Sequence, residues 1–590
     1  MRLPRPPRAL LLVAGGVLLV MVVLTLLGGW RTGVSTDETY HVARLRNFLE
    51  HGWYLLDSDL AGSSPGPWQE EVFVYAPVTT LLLHGWALLL GVESGGQVSS
   101  AADAYAVRHL GVALVSFVGV LATAALARLV LGGWRWGLLA AAALVAVPTW
   151  SGHAMFNVKD VAVATGYTLT TLGLVLAAGP RRDVRLLGAL TLTAGLVLAV
   201  GTRPGIAAGL GVATLVALLT RDRARWVAVL GATAAATVTL WLVYPAVFDN
   251  PVEAVVRGAL SSSRYDDQEG AWWYVPLFLV LELPTLHLLL GAAGTVLVAR
   301  ALRRVTGPAR LALTLLLLQA FLLPLLGVLR QSNIYTGLRQ LLFAAPALAV
   351  LVTVAVASLL AWAAGARGAA DRRRPVALAV PWLAAAALAL PVASQAQLFP
   401  YGYAYRSLPA LAIEPAVAAQ RPALEMQTDY WRTSVRELEP DVPEDEFVVC
   451  SPRRNADGDL WRFSRDGHDD CSGALVSPLS AYVDERGAPP GGTGTRWAAV
   501  VTATDQDPEN CTRTAEVSRR LWFETLVMSF VAQCDLRLED YPVDGMSFDG
   551  FGRDTQVSLG GWDLHPTRPG MGLQASSTPR SPAWTPSATR

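Results

Sequence analysis

Lysine is almost missing from this chain. Of its 47 lysines and arginines only Lys159 is a lysine, in "HAMFNVKD" (153–160). Charge of either sign is scarce as well, at 16% of 590 residues, against about 25% in ordinary soluble domains. Together with a mean hydropathy of +0.38, this excludes a soluble multidomain protein. A formal net charge of zero singles out no partner, and no nucleic-acid partner is expected. Cysteine is limited to Cys450, Cys471, Cys511 and Cys534, all in the last quarter of the chain. There is no internal repeat, P-loop, CxxC or HExxH.

Long apolar runs are abundant. "ALLLVAGGVLLVMVVLTLLGG" (9–29) follows a basic start, "MRLPRPPR", and matches the roughly 20 residues a spanning helix needs. Its apolar core is too long for a cleaved signal, so it reads as a retained first span. Further runs lie near 106–129, 134–150, 161–178, 186–200, 204–220, 226–247, 276–299, 310–329, 339–364 and 375–396. Short arginine-rich loops at 127–137, 180–185, 221–226, 299–310 and 366–375 should stay cytoplasmic. The parity works only if "VYAPVTTLLLHGWALLLG" (74–91) is re-entrant or interfacial.

The expected fold is therefore mainly α: a polytopic helical bundle of about eleven spans plus interfacial helices, occupying 1–396. The N-terminus is placed in the cytoplasm of a cell with the chain in its plasma or inner membrane. The loop 31–73, the Lys159 loop, 248–275 and everything after 397 then lie outside. Residues 397–565 read as an extracytoplasmic α/β or mixed domain. Four cysteines confined to an exported domain suggest two disulfides, with the sequence neighbours 450–471 and 511–534 the preferred pairs. From 566 to 590 the Pro/Ser/Thr-rich tail is expected to be disordered.

Two acidic and basic groupings stand out. In "GVSTDETYHVARLRNFLEHGWY" (33–54) helical spacing puts Asp37, His41 and Arg44 on one stripe, and Glu38 with Val42, Leu45 and Leu49. Ser35-x-x-Glu38 is also a capping box, so these acids either start an interfacial helix or form a carboxylate pair available as general base or metal ligand. Lys159 beside Asp160 is either a snorkelling base with its counter-ion or a point charge for a phosphate oxygen. The second reading gains weight because every other base is arginine. Arg203 in "AVGTRPGIA" and Arg339 in "RQSNIYTGLRQLL" sit at span mouths, where a base is a functional candidate. Arg264 lies in the outer loop 248–276, whose Trp272, Trp273 and Tyr274 read as an interfacial aromatic belt.

In order, "TDETYH" (36–41), 74–91, "YAVRHL" (105–110), "FNVKD" (156–160), "YTGLRQLLFAAPALAV" (335–350), "FPYGYAYRS" (399–407) and "DYWRTSVRELEP" (429–440) resemble the glycosyltransferase C superfamily. The closest likeness is to the family-39 protein O-mannosyltransferase and aminoarabinose-transferase-like membrane proteins. The resemblance covers roughly residues 1–440. Departures are Ala76-Pro77 for a proline pair, Val158 for proline, Thr336 for aspartate and Gln340 for histidine.

The resemblance implies a GT-C-like fold and a membrane enzyme that moves a hexosyl or pentosyl unit from a polyprenyl-phosphate sugar to an acceptor hydroxyl on protein, glycan or lipid. It implies inversion, Asp37 as general base with Glu38 assisting, and donor-phosphate contacts from Lys159, Arg339, Arg203 and Arg264. His41 and Asp160 would support. A divalent cation (Mg or Mn) on Asp37, Glu38 and Asp160 is left open. The competing reading is a transporter or flippase of lipid-linked sugars, using the same charges without chemistry. The topology has a direct check: a reporter active only outside the cytoplasm, fused after residue 155, should be active, whereas cytoplasmic behaviour there would overturn the parity argument.

Overall fold

The computed structural model describes residues 5–35, then 38, 41, 42, 45, 48 and 49, 76–92, 102–220, 222–243, 271–332, 334, 336–366, 374–410, 413, 428–431, 433, 434, 436–438 and the strands given below. The expected architecture is found: a mainly helical, multi-pass membrane bundle followed by a small sheet. Its helices are α1 (Arg8–Arg31), α2 (Pro77–Leu89), α3 (Ala102–Leu131), α4 (Trp134–Val145), α5 (Pro148–His153), α6 (Asp160–Ala177) and α7 (Arg182–Val200). They continue as α8 (Ala207–Leu218), α9 (Arg223–Val243), α10 (Tyr274–Glu282), α11 (Thr285–Ala301), α12 (Gly307–Leu329), α13 (Ala345–Ala366) and α14 (Arg374–Leu398).

Among the described residues eight helices are long and apolar enough to cross a membrane, and Trp134–Val145, Pro204–Leu218 and Thr285–Ala301 are shorter apolar ones. Large apolar side chains such as Leu12, Leu19, Leu121, Leu242 and Trp382 face outward, as lipid-facing positions should. Two runs that read as continuous in sequence are broken by proline. The 134–150 run divides at Pro148 into α4 and α5, and 276–299 divides at Pro284 into α10 and α11. Proline lacks the amide a continuing helix would bond. α2 has 13 residues, about 20 Å of helix, against a hydrocarbon core of roughly 30 Å.

Lipid tails are as apolar as leucine, so helices here associate by close packing rather than by escape from water. The α6–α7 hairpin does this with glycines seven residues apart on each helix. A Cβ on Gly166 would lie 2.6 Å from Ala199 N, one on Gly173 2.5 Å from Leu192 N, and one on Gly195 2.5 Å from Thr170 N. Gly188 meets Ala177 N in the same way. The two backbones touch along their length. A second polar lock crosses the bundle: Gln319 of α12 accepts from the Thr171 hydroxyl at 2.7 Å, and its amide donates to Thr168 Oγ1 and to the Phe343 carbonyl.

Beyond α14 lies a six-stranded mixed sheet in the order β3-β2-β1-β4-β6-β5. Its strands are β1 (Phe447–Ser451), β2 (Trp461–Arg462), β3 (Ala474–Leu475), β4 (Trp497–Thr502), β5 (Cys511–Leu521) and β6 (Glu524–Cys534). β1 and β4 run parallel and the other pairs antiparallel. β7 (Val557–Leu559) and β8 (Trp562–Leu564) form a separate pair. The β5–β6 hairpin docks on the bundle: Val517, Leu521, Leu526, Met528 and Val531 pack with Leu398, Tyr401, Ala404, Tyr405 and Leu438. Arg519 adds a fork onto Glu437 (2.6 and 2.7 Å) and donates to the Phe399 carbonyl at 2.8 Å.

Overpacking a tight contact of this kind costs about 1–3 kcal/mol. Gly173→Leu should therefore lower the midpoint of thermal unfolding in detergent. Gly211→Leu, with nothing within 4 Å of its added Cβ, should leave that midpoint near the wild-type value.

Candidate functional site

At the C-terminal end of α1 the chain turns at Thr32, whose hydroxyl donates to the Gly28 carbonyl at 2.6 Å. It then enters the segment in which Glu38, His41, Val42, Leu45, Phe48 and Leu49 are helical. One arm of the capping box is formed, the Ser35 amide donating to Glu38 Oε2 at 2.8 Å, while the Glu38 amide donates to the Ser35 backbone carbonyl at 3.0 Å. Capping does not exhaust Glu38. It is buried to 1% exposure, and His109 Nε2 of α3 lies 2.9 and 3.0 Å from its two oxygens. His109 Nδ1 lies 3.0 Å from the Gly29 carbonyl, which can only accept, so this nitrogen carries a proton. The contact between Nε2 and the carboxylate then needs a second proton, held by one side or the other. Arg108, next in sequence, is fully buried with no hydrogen-bond partner among the described residues and acts electrostatically on Glu38. Leu49, read as part of the apolar stripe, is 46% exposed and faces outward.

The basic half is built around Asp160. Asn157 Oδ1 accepts from the amides of Lys159 (3.1 Å) and Asp160 (2.8 Å), so it starts α6 and fixes both residues. Its Nδ2 donates to Asp160 Oδ2 at 3.0 Å. Arg203, held extended before Pro204 at the end of α7, reaches Asp160 Oδ1 at 3.0 Å, and Arg339 reaches Oδ2 at 3.4 Å. Both carboxylate oxygens of Asp160 are met by the two arginines and Asn157, and Lys159 acts on the same carboxylate electrostatically. Arg203, Arg339 and Lys159 thus surround a single carboxylate, which leaves an excess of positive charge.

Arg339 is placed by the "YTGLR" turn. Gly337 (φ +72°) has no room for a Cβ against the Glu282 carboxylate. Its amide donates to the Tyr274 hydroxyl at 2.8 Å, and the Leu338 amide donates to Glu282 Oε2 at 2.8 Å. Tyr274 is therefore not part of an outward belt: it is buried and stacked on Phe278 at 4.1 Å, while Trp272 is exposed. Thr336, the departure from aspartate, accepts a short hydrogen bond from Arg339 Nε.

The outer wall comes from the two segments after α14. Trp431 lies 4.7 Å and Tyr430 5.3 Å from the Arg339 guanidinium, ring face to cation. Trp431, His153, Phe156 and Tyr403 form one aromatic cluster with centroids 5.3 to 6.1 Å apart. Tyr403 packs so tightly on α5 that Gly152 could carry no Cβ. Burial and the Asp429 carboxylate push the Tyr403 hydroxyl well above its ordinary pKa, so it stays protonated and donates to Asp429. The Thr433 carbonyl accepts from the Gly33 amide at 3.0 Å, and Arg436 donates to the Trp30 carbonyl at 3.0 Å. These bonds hold this wall against the exit of α1.

Between the two halves lies a small cavity lined by Ser35, Glu38, His41, Asn157, Val158, Lys159 and Trp431. Glu38 and Lys159, 121 positions apart in sequence, thus share one space. Asp37, Arg44, Arg264 and Cys471 lie outside the described residues. Cys511 stands directly opposite Cys534 in the β5–β6 register, whereas Cys450 in β1 pairs across to Trp461 and Val500. Arg108, His109 and Trp431 lie in the stretches "YAVRHL" and "DYWRTSVRELEP" that carry the resemblance, but sequence reasoning assigned none of them a role.

The described carboxylates do not fit a divalent cation. Glu38 is engaged by His109 and the Ser35 amide, Asp160 by two guanidiniums, and no group of three His, Cys, Asp or Glu side chains suited to a metal occurs among the described residues. Replacing either carboxylate by an oxygen bonded to metal would strand buried cations.

Breaking one side of a buried charged pair costs about 3–5 kcal/mol, so His109→Phe and Glu38→Ala should each lower the unfolding midpoint sharply. Glu38→Gln, whose amide can donate to a neutral His109 Nε2, should cost much less. A double-mutant cycle on the two positions should show strong coupling, and additivity would remove the pairing. His153 gives a pH dependence: burial pushes its pKa down to about 4 from 6.5. The unfolded chain takes up this proton first, so His153 contributes stability above pH 6.5 that is lost as pH falls towards 4. His153→Phe should flatten that part of the stability profile.

Among solved structures the chain is similar to ArnT from Cupriavidus metallidurans in the apo state, with 14% identity, 88% of this chain and 97% of that one covered, and a TM-score of 0.45. The same protein bound to undecaprenyl phosphate gives 16% identity, the same coverage and a TM-score of 0.43. The archaeal oligosaccharyltransferase AglB from Archaeoglobus fulgidus, in complex with an inhibitory peptide and a dolichol-phosphate, gives 13% identity, 74% of this chain, 58% of that chain and a TM-score of 0.43. No family model and no curated protein matches the chain.

Proposed function

We propose that the protein is a membrane glycosyltransferase that moves a sugar from a polyprenyl-phosphate sugar to an acceptor hydroxyl at the extracytoplasmic face, with inversion. One observation carries the reading: Glu38 and Lys159 line the same cavity, and Arg203 and Arg339 stand directly behind it around Asp160. An acid beside a surplus of fixed cations, at the end of a membrane bundle, is what acceptor activation and departure of a lipid phosphate require together.

In this reaction Asp37 takes the acceptor proton as its oxygen forms a bond to the anomeric carbon. The bond from that carbon to the phosphate oxygen breaks, and its electron pair leaves with the lipid phosphate. Charge grows on that oxygen, and cations already fixed in place stabilise it without reorganising. Lys159 is the point charge at the leaving oxygen. Arg203 and Arg339 keep the local field positive, with Arg264 a further candidate from the outer loop. Glu38, fixed by His109 and the Ser35 amide, orients the acceptor beside Asp37. His41 completes that wall. α2, too short to cross, lies along the membrane as a re-entrant element. Its start is tied to the Arg203 junction by the Ala76 amide on the Thr202 carbonyl (2.8 Å) and by the Thr79–Thr202 hydroxyl pair (2.6 Å). Cys511–Cys534 is the disulfide that the strand register favours.

The test uses membranes carrying the full chain and a panel of radiolabelled polyprenyl-phosphate donors bearing hexoses or pentoses. Label should move to a lipid-, glycan- or protein-bound product. Asp37→Asn should reduce transfer about 10²–10⁴-fold, the range for loss of a general base. Lys159→Gln should weaken donor use more than acceptor use. Donor that crosses the bilayer intact, with no sugar transferred, would identify a flippase instead. Transfer untouched by Asp37→Asn would remove Asp37 as the base.

A further inference from the structure

The β5–β6 hairpin closes with a two-residue loop: Leu521 pairs with Glu524, and Trp522 and Phe523 turn the chain. Such loops ordinarily use Asn-Gly or Asp-Gly, because the central residues need positive φ. Here Trp522 adopts φ +55°, a left-handed conformation that costs a side-chain-bearing residue on the order of 1–2 kcal/mol. A tryptophan at the left-handed position is a poor choice for the turn alone. Breaking a local rule without a local gain points to a role outside the hairpin.

The surroundings say which role. The Trp522 amide donates to Gln397 Oε1 at 3.0 Å, and its indole N–H donates to Ser394 Oγ at 3.0 Å. Both partners belong to α14, an apolar helix long enough to span (Ala377–Leu398). Ser394 lies four residues before the helix end, about 6 Å along the axis. The indole therefore reaches below the end of the span, at the depth where tryptophan gathers in membranes. Leu390, Ala393 and Gln397 are exposed at helical spacing, so the hairpin tip lies over the outward stripe of α14. Phe523 beside it is 89% exposed, the most exposed large apolar side chain among the described residues. Arg520, exposed two residues before Trp522, donates from Nε to the Trp522 carbonyl at 3.3 Å.

We infer that Trp522 and Phe523 form a membrane wedge: Phe523 enters the acyl region of the leaflet at which α14 ends, and Trp522 pins that depth against α14. The occupant of this surface is lipid. The wedge fixes the height of the sheet, and with it the segment 428–438 that it presses on the site through Arg519 and Glu437.

The full-length chain carrying Phe523→p-benzoylphenylalanine, reconstituted in phosphatidylcholine–phosphatidylglycerol vesicles with tritiated acyl chains, provides the test. Since Phe523 is exposed, the replacement removes no protein contact. Leu12, 77% exposed on α1, is the lipid-facing reference, and Arg513, exposed near the far end of the same hairpin, is the aqueous one. On irradiation position 523 should label with lipid as Leu12 does and about tenfold more than position 513, as transfer of an aromatic from water to hydrocarbon implies. Labelling no greater than at position 513, or an adduct with protein in place of lipid, would overturn the wedge.

Discussion

The buried carboxylate of Asp160 is the contact on which the other parts of the site depend. Arg203 arrives from the end of α7, Arg339 from the turn before α13, and Asn157 from the loop that starts α6. Burying ions is favourable only if every member is in place, since each alone would be a stranded charge. The cluster therefore locks the mouths of separate helices at one end of the bundle. Arg339 then supplies the cation under Trp431 and Tyr430. The placement of the chain after α14 is in this way tied to the same carboxylate.

The bundle and the segments beyond it are held by different physics. Within the membrane there is little hydrophobic gain in bringing helices together, and the α6–α7 hairpin relies on backbone contact through glycines and on the Gln319 lock. Outside it, apolar packing of the β5–β6 hairpin on Tyr401 and Tyr405 returns as a driving force, reinforced by the Arg519–Glu437 fork. The cavity lies at the seam. One wall, Ser35 to His41, follows α1; another, Asn157 to Lys159, precedes α6; Trp431 is brought by the post-span chain. A site made at such a seam combines rigid helix ends with a wall whose height is set from outside the membrane.

Much of this was legible in the chain itself. Hydropathy located the helices, because a segment that must cross about 30 Å of hydrocarbon leaves a long apolar run. Ser35 and Glu38 announced their contact, because its partners are three residues apart. The lone lysine marked its loop, because a chain that writes every other base as arginine makes one exception there. Arg203 stood where the sequence put it, at a span mouth, with Pro204 opening the helical turn after it, since proline suits the first turn.

What the sequence determined, then, is whatever is encoded over one helix turn or one membrane thickness: the spans, the caps and the residue types gathered at the helix mouths. Tertiary structure alone decided the pairings. Glu38 finds His109 71 positions away, Asp160 gathers two arginines from distant helix ends, Tyr274 turns inward to hold Gly337, and Trp431 closes the cavity. The physical reason is common to all of them. A buried charge or amide must be satisfied by whichever group the packing brings within about 3 Å, and that group is set by how helices cross, not by order along the chain.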